Sequence, residues 1–151
     1  MGKIALVPLS EKNLDAVYEI DRASFTHPWS YALLQAELCN EQAAYLVAEW
    51  EGTCAGYAGV QFACDCAEVL NIAVHPDFRR KGIGRALMQA LAELAAQRGC
   101  EKLLLEVRAS GEAAQALYRA QGFVTDGVRR GYYREPCEDA VLMHCDLAPA
   151  P

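Results

Sequence analysis

The stretch Arg79-Arg80-Lys81-Gly82-Ile83-Gly84-Arg85-Ala86 puts two glycines and four cationic side chains at one junction. Before it runs an apolar, strand-like segment, Val69-Leu70-Asn71-Ile72-Ala73-Val74, and after it a helical pattern. The chemistry this suits is phosphate binding. The first N–H groups of a helix have no intrahelical acceptor, and glycine lets the main chain approach an anion closely. Cations are disfavoured at a helix start unless something negative is bound there; a flexible basic helix start is the plainer account of the same residues. Two titratable residues follow. Glu106, between Leu105 and Val107, falls at the carboxyl end of a predicted strand, where open α/β sheets bind ligands. A carboxylate partly shielded from water there is a better general base, although a solvated Glu, or one paired with Arg108, accounts for it by residue type. Tyr118, in Ala116-Leu117-Tyr118-Arg119, has a phenol that could protonate a leaving group, and it equally suits an amphipathic core position.

Hydrophobic spacing predicts the elements that must carry these groups. A strand covers 4–7. A helix capped by Ser10 runs to about residue 23, with Leu14, Val17 and Ile20 at helical spacing and Asp21 on the polar flank. A break at 26–30 precedes a second helix over 31–39, capped by Ser30. Strands at 43–50 and 54–62 are joined by Glu51-Gly52-Thr53, and a third covers 66–74. The stripe Ile83, Leu87, Ala90, Leu91, Leu94 and Ala95 marks a helix over 82–98, ended by Gly99. A strand at 102–107, a helix at 113–121 stopped by Gly122, and closing strands at 123–125 and 140–145 complete the chain, with 127–138 between the last two. The order β-α-α-β-β-β-α-β-α-β-β contains one βαβ crossover, from 66–74 to 102–107, so those strands are parallel within a mixed sheet.

The chain has 151 residues, which predicts one domain over 1–147 and a frayed tail at 148–151. Its net charge of −6 argues against general affinity for nucleic acid or membranes; an acidic surface suits a cationic substrate, or simply serves solubility. Seven Cys without a C-x-x-C pair, and three scattered His, predict buried reduced thiols and no metal site. No run is apolar enough to span a membrane and no secretory signal is read, while Leu6 sits where a myristoylation motif wants Ser or Thr. A cytoplasmic monomer is expected.

Two nucleotide loops compete for the glycines. A Walker loop needs Gly-Lys-Ser/Thr, which Gly84-Arg85-Ala86 does not supply. A dinucleotide loop of the Rossmann kind needs a third glycine where Leu87 stands. Its first glycine makes the strand-to-helix turn itself, whereas His75-Pro76-Asp77-Phe78 intervenes here.

Arg79-x-x-Gly82-x-Gly84 resembles the coenzyme A motif of the GNAT acetyltransferases. Asn71-Ile72-Ala73-Val74, Leu105-Glu106-Val107-Arg108-Ala109-Ser110 and Ala116-Leu117-Tyr118 through Gly122-Phe123 extend the resemblance in order. Within that family the ordered set resembles the N-terminal protein acetyltransferases, and Pro28-Trp29-Ser30, Arg129-Arg130-x-Tyr132-Tyr133 and Glu138-Asp139-Ala140 extend the likeness. The resemblance implies a GNAT fold: a mixed, mostly antiparallel sheet whose central parallel pair splays to bind acetyl-CoA, with helices on both faces. It implies direct transfer in a ternary complex, with Glu106 as base and Tyr118 as acid. Ile72, Ala73, Val74, Arg79, Arg80, Lys81, Gly82, Ile83, Gly84 and Arg85 would hold acetyl-CoA, without a metal. The implied acceptor is the N-terminal alanine of a ribosomal small-subunit protein, with Trp29, Tyr132, Glu135, Glu138 and Asp139 on the substrate side. One departure is Gly111, where the family usually has an Asn that touches the cofactor. Lysine side chains or small amines are the alternative acceptors, and a CoA-binding scaffold is the alternative without catalysis.

Overall fold

Residues 43–74 carry the longest run of strand-forming sequence, and they build three consecutive strands. In the computed structural model, which describes residues 3–25, 28–134 and 137–147, these are β2 (Ala43–Trp50), β3 (Thr53–Ala63) and β4 (Cys66–Val74). Glu51 and Gly52 both take positive φ, 49° and 87°, which gives the β2–β3 turn the twist a tight hairpin needs. The other elements are β1 (Ile4–Pro8), α1 (Leu14–Ser24), α2 (Tyr31–Ala36), α3 (Ile83–Gln97), β5 (Lys102–Arg108), α4 (Glu112–Ala120), β6 (Val124–Arg134) and β7 (Cys137–Asp146). A 3-10 turn, Glu37–Cys39, extends α2, and another, Pro76–Phe78, precedes α3. The seven strands lie in the order β1-β2-β3-β4-β5-β7-β6. β4 and β5 are the parallel pair, registered at Cys66↔Lys102, Ala67↔Leu103 and Glu68↔Leu104. The expected mixed, mostly antiparallel sheet is therefore present.

The chain forms two compact units. One comprises the chain up to Gln61 together with Leu70–Glu93; the other comprises Phe62–Val69 and the chain from Leu94 onward. In the first, Leu14, Val17, Ile20 and Leu34 from α1 and α2 pack with Tyr45, Val47, Tyr57 and Ala73 from the sheet. Close approach is built into this layer: a Cβ on Gly56 would stand 2.7 Å from the Ala73 carbonyl and 3.3 Å from Ile83 Cγ2. The second unit packs Leu103, Leu105, Val107, Tyr118, Phe123, Ala140, Val141 and Met143, all buried.

Four expectations need correction. Ser10 does not cap α1. Its N–H donates to Asn13 Oδ1 (2.9 Å) and its carbonyl accepts from Asn13 N–H, so a turn precedes a helix that begins at Leu14. Asp21 is not on a polar flank but fully buried. Most of 127–138 is strand rather than connection, because β6 pairs with β7 as far as Arg134↔Cys137. β6 is an edge strand with little burial, so its sequence lacks the alternation that marks a half-buried strand. The thiols are all unbridged, but only Cys100 is buried, while Cys39, Cys64 and Cys137 are exposed. Among the described residues no helix is long and apolar enough to cross a membrane.

Tyr45 faces Gly59 across β2 and β3, and its hydroxyl donates to Glu37 Oε1 at 2.5 Å. A Cβ at Gly59 would run into the Tyr45 ring. Gly59→Ala is therefore expected to cost about 1–3 kcal/mol through overpacking, read as a lowered urea midpoint. An unchanged midpoint would show that the ring can move aside.

Candidate active site

The phosphate-type loop belongs to the first unit, and its geometry starts at the end of β4. His75 N–H donates to the Ala55 carbonyl at 2.7 Å, which ties the strand end to β3. His75 Nδ1 then accepts from Asp77 N–H (3.1 Å), shaping the 3-10 turn that leads to Arg79. Arg79 Nε reaches back to the Val74 carbonyl at 3.5 Å. Arg80 and Gly82 take positive φ, 64° and 81°. The second explains a glycine there: a Cβ would meet nothing within 4 Å, but the backbone conformation is strained for any other residue. The bond from Ala86 N–H to the Gly82 carbonyl (3.0 Å) opens α3. Arg79, Arg80, Lys81 and Arg85 are exposed around this helix start, and the Lys81 ammonium lies 4.8 Å above the Trp50 ring. Open space over Gly82, a helix N-terminus and four cations form a donor set that fits a polyphosphate such as that of acetyl-CoA. Ile72, Ala73 and Val74 lie along the last residues of β4, with Ala73 buried and its neighbours half-buried.

Trp29 belongs to the same unit and is held from two sides. Its N–H donates to Asp21 Oδ2 at 2.6 Å, and Asp21 Oδ1 accepts from the Tyr57 hydroxyl. The Asn71 amide, turned so that its oxygen meets the indole N–H, accepts from Trp29 Nε1 and donates to the Leu70 carbonyl. Asn71 immediately precedes Ile72, so this network joins the Trp29 loop to the strand end.

The candidate acid and base lie in the second unit. Glu106, opposite Leu142 in β7, has a side chain only 19% exposed. Its cationic partner is Arg129, with Nη1 3.4 Å from Oε1, rather than Arg108 two residues on. The Tyr132 hydroxyl donates to Glu106, which is the main reason the Tyr132 phenol is pushed above its usual value. Arg108 instead pairs with Glu138 (3.2 Å) and covers the Tyr133 ring at 4.2 Å. Tyr118 is buried on α4, its ring 5.8 Å from that of Phe123; burial, with a smaller contribution from Tyr133, pushes its phenol upward.

Glu138 and Asp139 are engaged within the chain. Glu138 accepts from Ser110 N–H (2.9 Å), Ser110 Oγ (3.1 Å) and Arg108 Nη1 (3.2 Å). Asp139 Oδ1 accepts from Gly131 N–H at 2.9 Å. The turn after β5 is held from the other side by Gln115, whose Nε2 donates to the carbonyls of Arg108 (3.0 Å) and Ala109 (3.1 Å). Gly111 is the N-cap residue of α4, and no side chain caps that helix. Gln115 and the pairing of Arg129 were not legible from residue type; helical spacing, three residues before Tyr118, is the one signal that puts Gln115 on the same face. Glu135 lies outside the described residues.

Ser110 N–H foremost, then the Ser110 hydroxyl and Arg108, hold the Glu138 carboxyl below its ordinary value. A lowered value means the clasp is intact above pH ~4.5 and is lost as pH falls through the lowered value. Glu138→Ala should therefore speed hydrogen exchange of the Ser110 amide at neutral pH. The wild-type amide should keep its protection until well below pH ~4.5. Equal exchange in the two proteins would show the clasp to be incidental.

Among the described residues, no group of three or more His, Cys, Asp or Glu side chains is placed to hold a metal ion. The model of the Acetyltransferase (GNAT) family matches residues 14–123. A Bacillus subtilis (strain 168) protein, provisionally named a ribosomal protein bS18-alanine N-acetyltransferase, is 39% identical over 93% of this chain and 94% of its own length. The Escherichia coli (strain K12) ribosomal protein bS18-alanine N-acetyltransferase is 37% identical over 89% of this chain and 92% of its own. The crystal structure of the ribosomal-protein-S18-alanine N-acetyltransferase from Escherichia coli superposes with a TM-score of 0.87, at 36% identity, over 99% of this chain and 97% of that one. The phosphate-suited loop, the glutamate and the tyrosine described above thus lie in a chain that belongs to the GNAT family of acetyltransferases.

Proposed function

We propose that this chain transfers the acetyl group of acetyl-CoA to the N-terminal amino group of an alanine-initiated ribosomal protein of the bS18 kind. The observation that carries this reading is the 37% identity, over nearly the full length of both chains, to the Escherichia coli enzyme of that name. The acceptor's cationic ammonium suits a chain of net charge −6. In this reading the acceptor nitrogen forms the new bond to the acetyl carbon as the carbon–sulfur bond breaks. No metal is used, and the chain works as a monomer in the cytoplasm.

The loop from Arg79 to Arg85, through Arg80, Lys81, Gly82, Ile83 and Gly84, binds the phosphates of acetyl-CoA. Main-chain groups of Ile72, Ala73 and Val74 hold its pantetheine arm. An N–H near Val74 polarises the thioester carbonyl. Glu106 takes the ammonium proton, directly or through one water, which leaves a neutral amine to attack. Tyr118 protonates the departing thiolate. Burial raises its phenol, so the group is protonated throughout the neutral range and has a proton to give. Trp29 and Tyr132 contact the acceptor. Glu138 and Asp139 act at one remove, Glu138 by holding the turn after β5 and Asp139 by holding β6 at Gly131.

Glu106→Gln is expected to lower kcat by about 10²–10⁴-fold while acetyl-CoA binding persists, measured by thiol release and by calorimetry. Unchanged turnover would remove Glu106 from the role of base. Tyr118→Phe should lower kcat with little change in either KM. Because its phenol is raised, Tyr118 should impose no alkaline loss of kcat until the pH is above about 10. A tyrosine limb near neutrality, present in wild type and absent in the Phe variant, would contradict this. A peptide panel differing in the first residues should favour alanine-initiated peptides; preference for polyamines or lysine side chains would overturn the acceptor.

A further inference from the structure

Glu106 is already paired in the way an incoming ammonium would pair with it. Arg129 Nη1 stands 3.4 Å from Oε1, and the Tyr132 hydroxyl donates to the same carboxylate. Among the described residues, three other charged or titratable groups lie nearby. Arg108 is turned to Glu138 and the Tyr133 ring, Tyr133 feels the Glu106 charge, and Glu68 bears on Tyr132. The ion pair is asymmetric: the Arg129 side chain is 55% exposed and that of Glu106 only 19%. A guanidinium standing in solvent leaves easily, and such pairs shift an equilibrium by only a few-fold. The covered carboxylate, by contrast, is costly to leave without a partner.

The backbone beneath Arg129 is shaped for this contact. β6 shifts register once between Thr125 and Gly127, pairs with β7 from Gly127↔Leu142 to Arg129↔Ala140, then loses register again until Tyr133↔Glu138. Within that stretch Gly131 takes φ 62°, and its N–H is bound by Asp139. The irregular stretch carries Tyr132, whose ring lies 5.1 Å from the Arg129 guanidinium, to Glu106. Arginine cannot give up its proton in the working pH range, so it neutralises the carboxylate without supplying the proton that Glu106 takes.

We propose that Arg129 is a placeholder for the acceptor ammonium: it neutralises Glu106 in the unliganded protein and is displaced when a cationic amine arrives. Arg129 thereby sets the affinity for the acceptor, an inference that rests on Glu106 being the base in the proposed acetyl transfer.

The test compares wild type with Arg129→Met, which keeps an aliphatic stem against Tyr132, and with Arg129→Lys, which restores a charge. Arg130→Met removes the neighbouring cation and controls for long-range charge. The KM for an alanine-initiated peptide should fall by about threefold in R129M, with the change in KM rather than kcat and the acetyl-CoA KM unmoved. R129K should return toward wild type, and R130M should not reproduce the fall. An unchanged or raised peptide KM in R129M, or an equal fall in R130M, overturns the proposal. Calorimetric titration with alaninamide separates this from the functional reading. If wild type acetylates no alanine-initiated peptide, that reading fails, yet tighter alaninamide binding by R129M than by wild type still supports the placeholder, and equal binding refutes it.

Discussion

A carboxylate withdrawn from water must be met by hydrogen bonds, and the first unit is organised around that need at Asp21. Its two oxygens take the Trp29 N–H and the Tyr57 hydroxyl, so one acid fixes the chain leaving α1 and a residue at the centre of β3. Burial, reinforced by Asp21, drives the Tyr57 phenol far above its ordinary range, so it stays a donor. Asn71 extends the network from the indole of Trp29 to the start of the Ile72–Ala73–Val74 strand end. Leu14, Val17, Ile20 and Leu34 supply the hydrophobic burial, but these polar contacts decide which loop conformation that burial stabilises.

The second unit applies the same logic to a turn. Glu138 grips the main chain and side chain of Ser110, while Gln115 takes the carbonyls of Arg108 and Ala109 from the opposite side. The end of β5, and Glu106 with it, is thereby fixed by residues from β7 and α4 together. Tyr118 projects from the same helix as Gln115, so one short element both braces the turn and carries the candidate acid.

The parts legible in the sequence were those where backbone geometry demands a residue type. Gly82, Gly99 and Gly122 all occupy positive φ, and each was read as a loop or helix terminus. The borders of β2 and β4 followed from apolar runs bounded by turns. Contacts between residues distant in sequence were not legible. Helical spacing put Asp21 on a flank because its partners, the Trp29 N–H and the Tyr57 hydroxyl, come from a later loop and from a strand far along the chain. Arg108, two residues on and on the same face of the strand, looked like the partner of Glu106, yet it is taken by Glu138 and the Tyr133 ring. The partner came from across the sheet, at Arg129. The family motifs located the candidate site residues, whereas the hydrogen bonds that hold Glu138 and Asp139 appear only in the fold.

β6 lies at one edge of the sheet, where an unpaired row of N–H and C=O groups invites strands from other molecules. Its outer surface carries the exposed Val124 and Val128, which would favour such pairing. The kink at Gly131 interrupts the template, and Arg129, Arg130 and Arg134 space it with like charges that a second copy would have to bring together. The irregularity that carries Tyr132 to Glu106 thus also limits sheet extension, so straightening β6 would trade a well-aimed side chain for a tendency to aggregate.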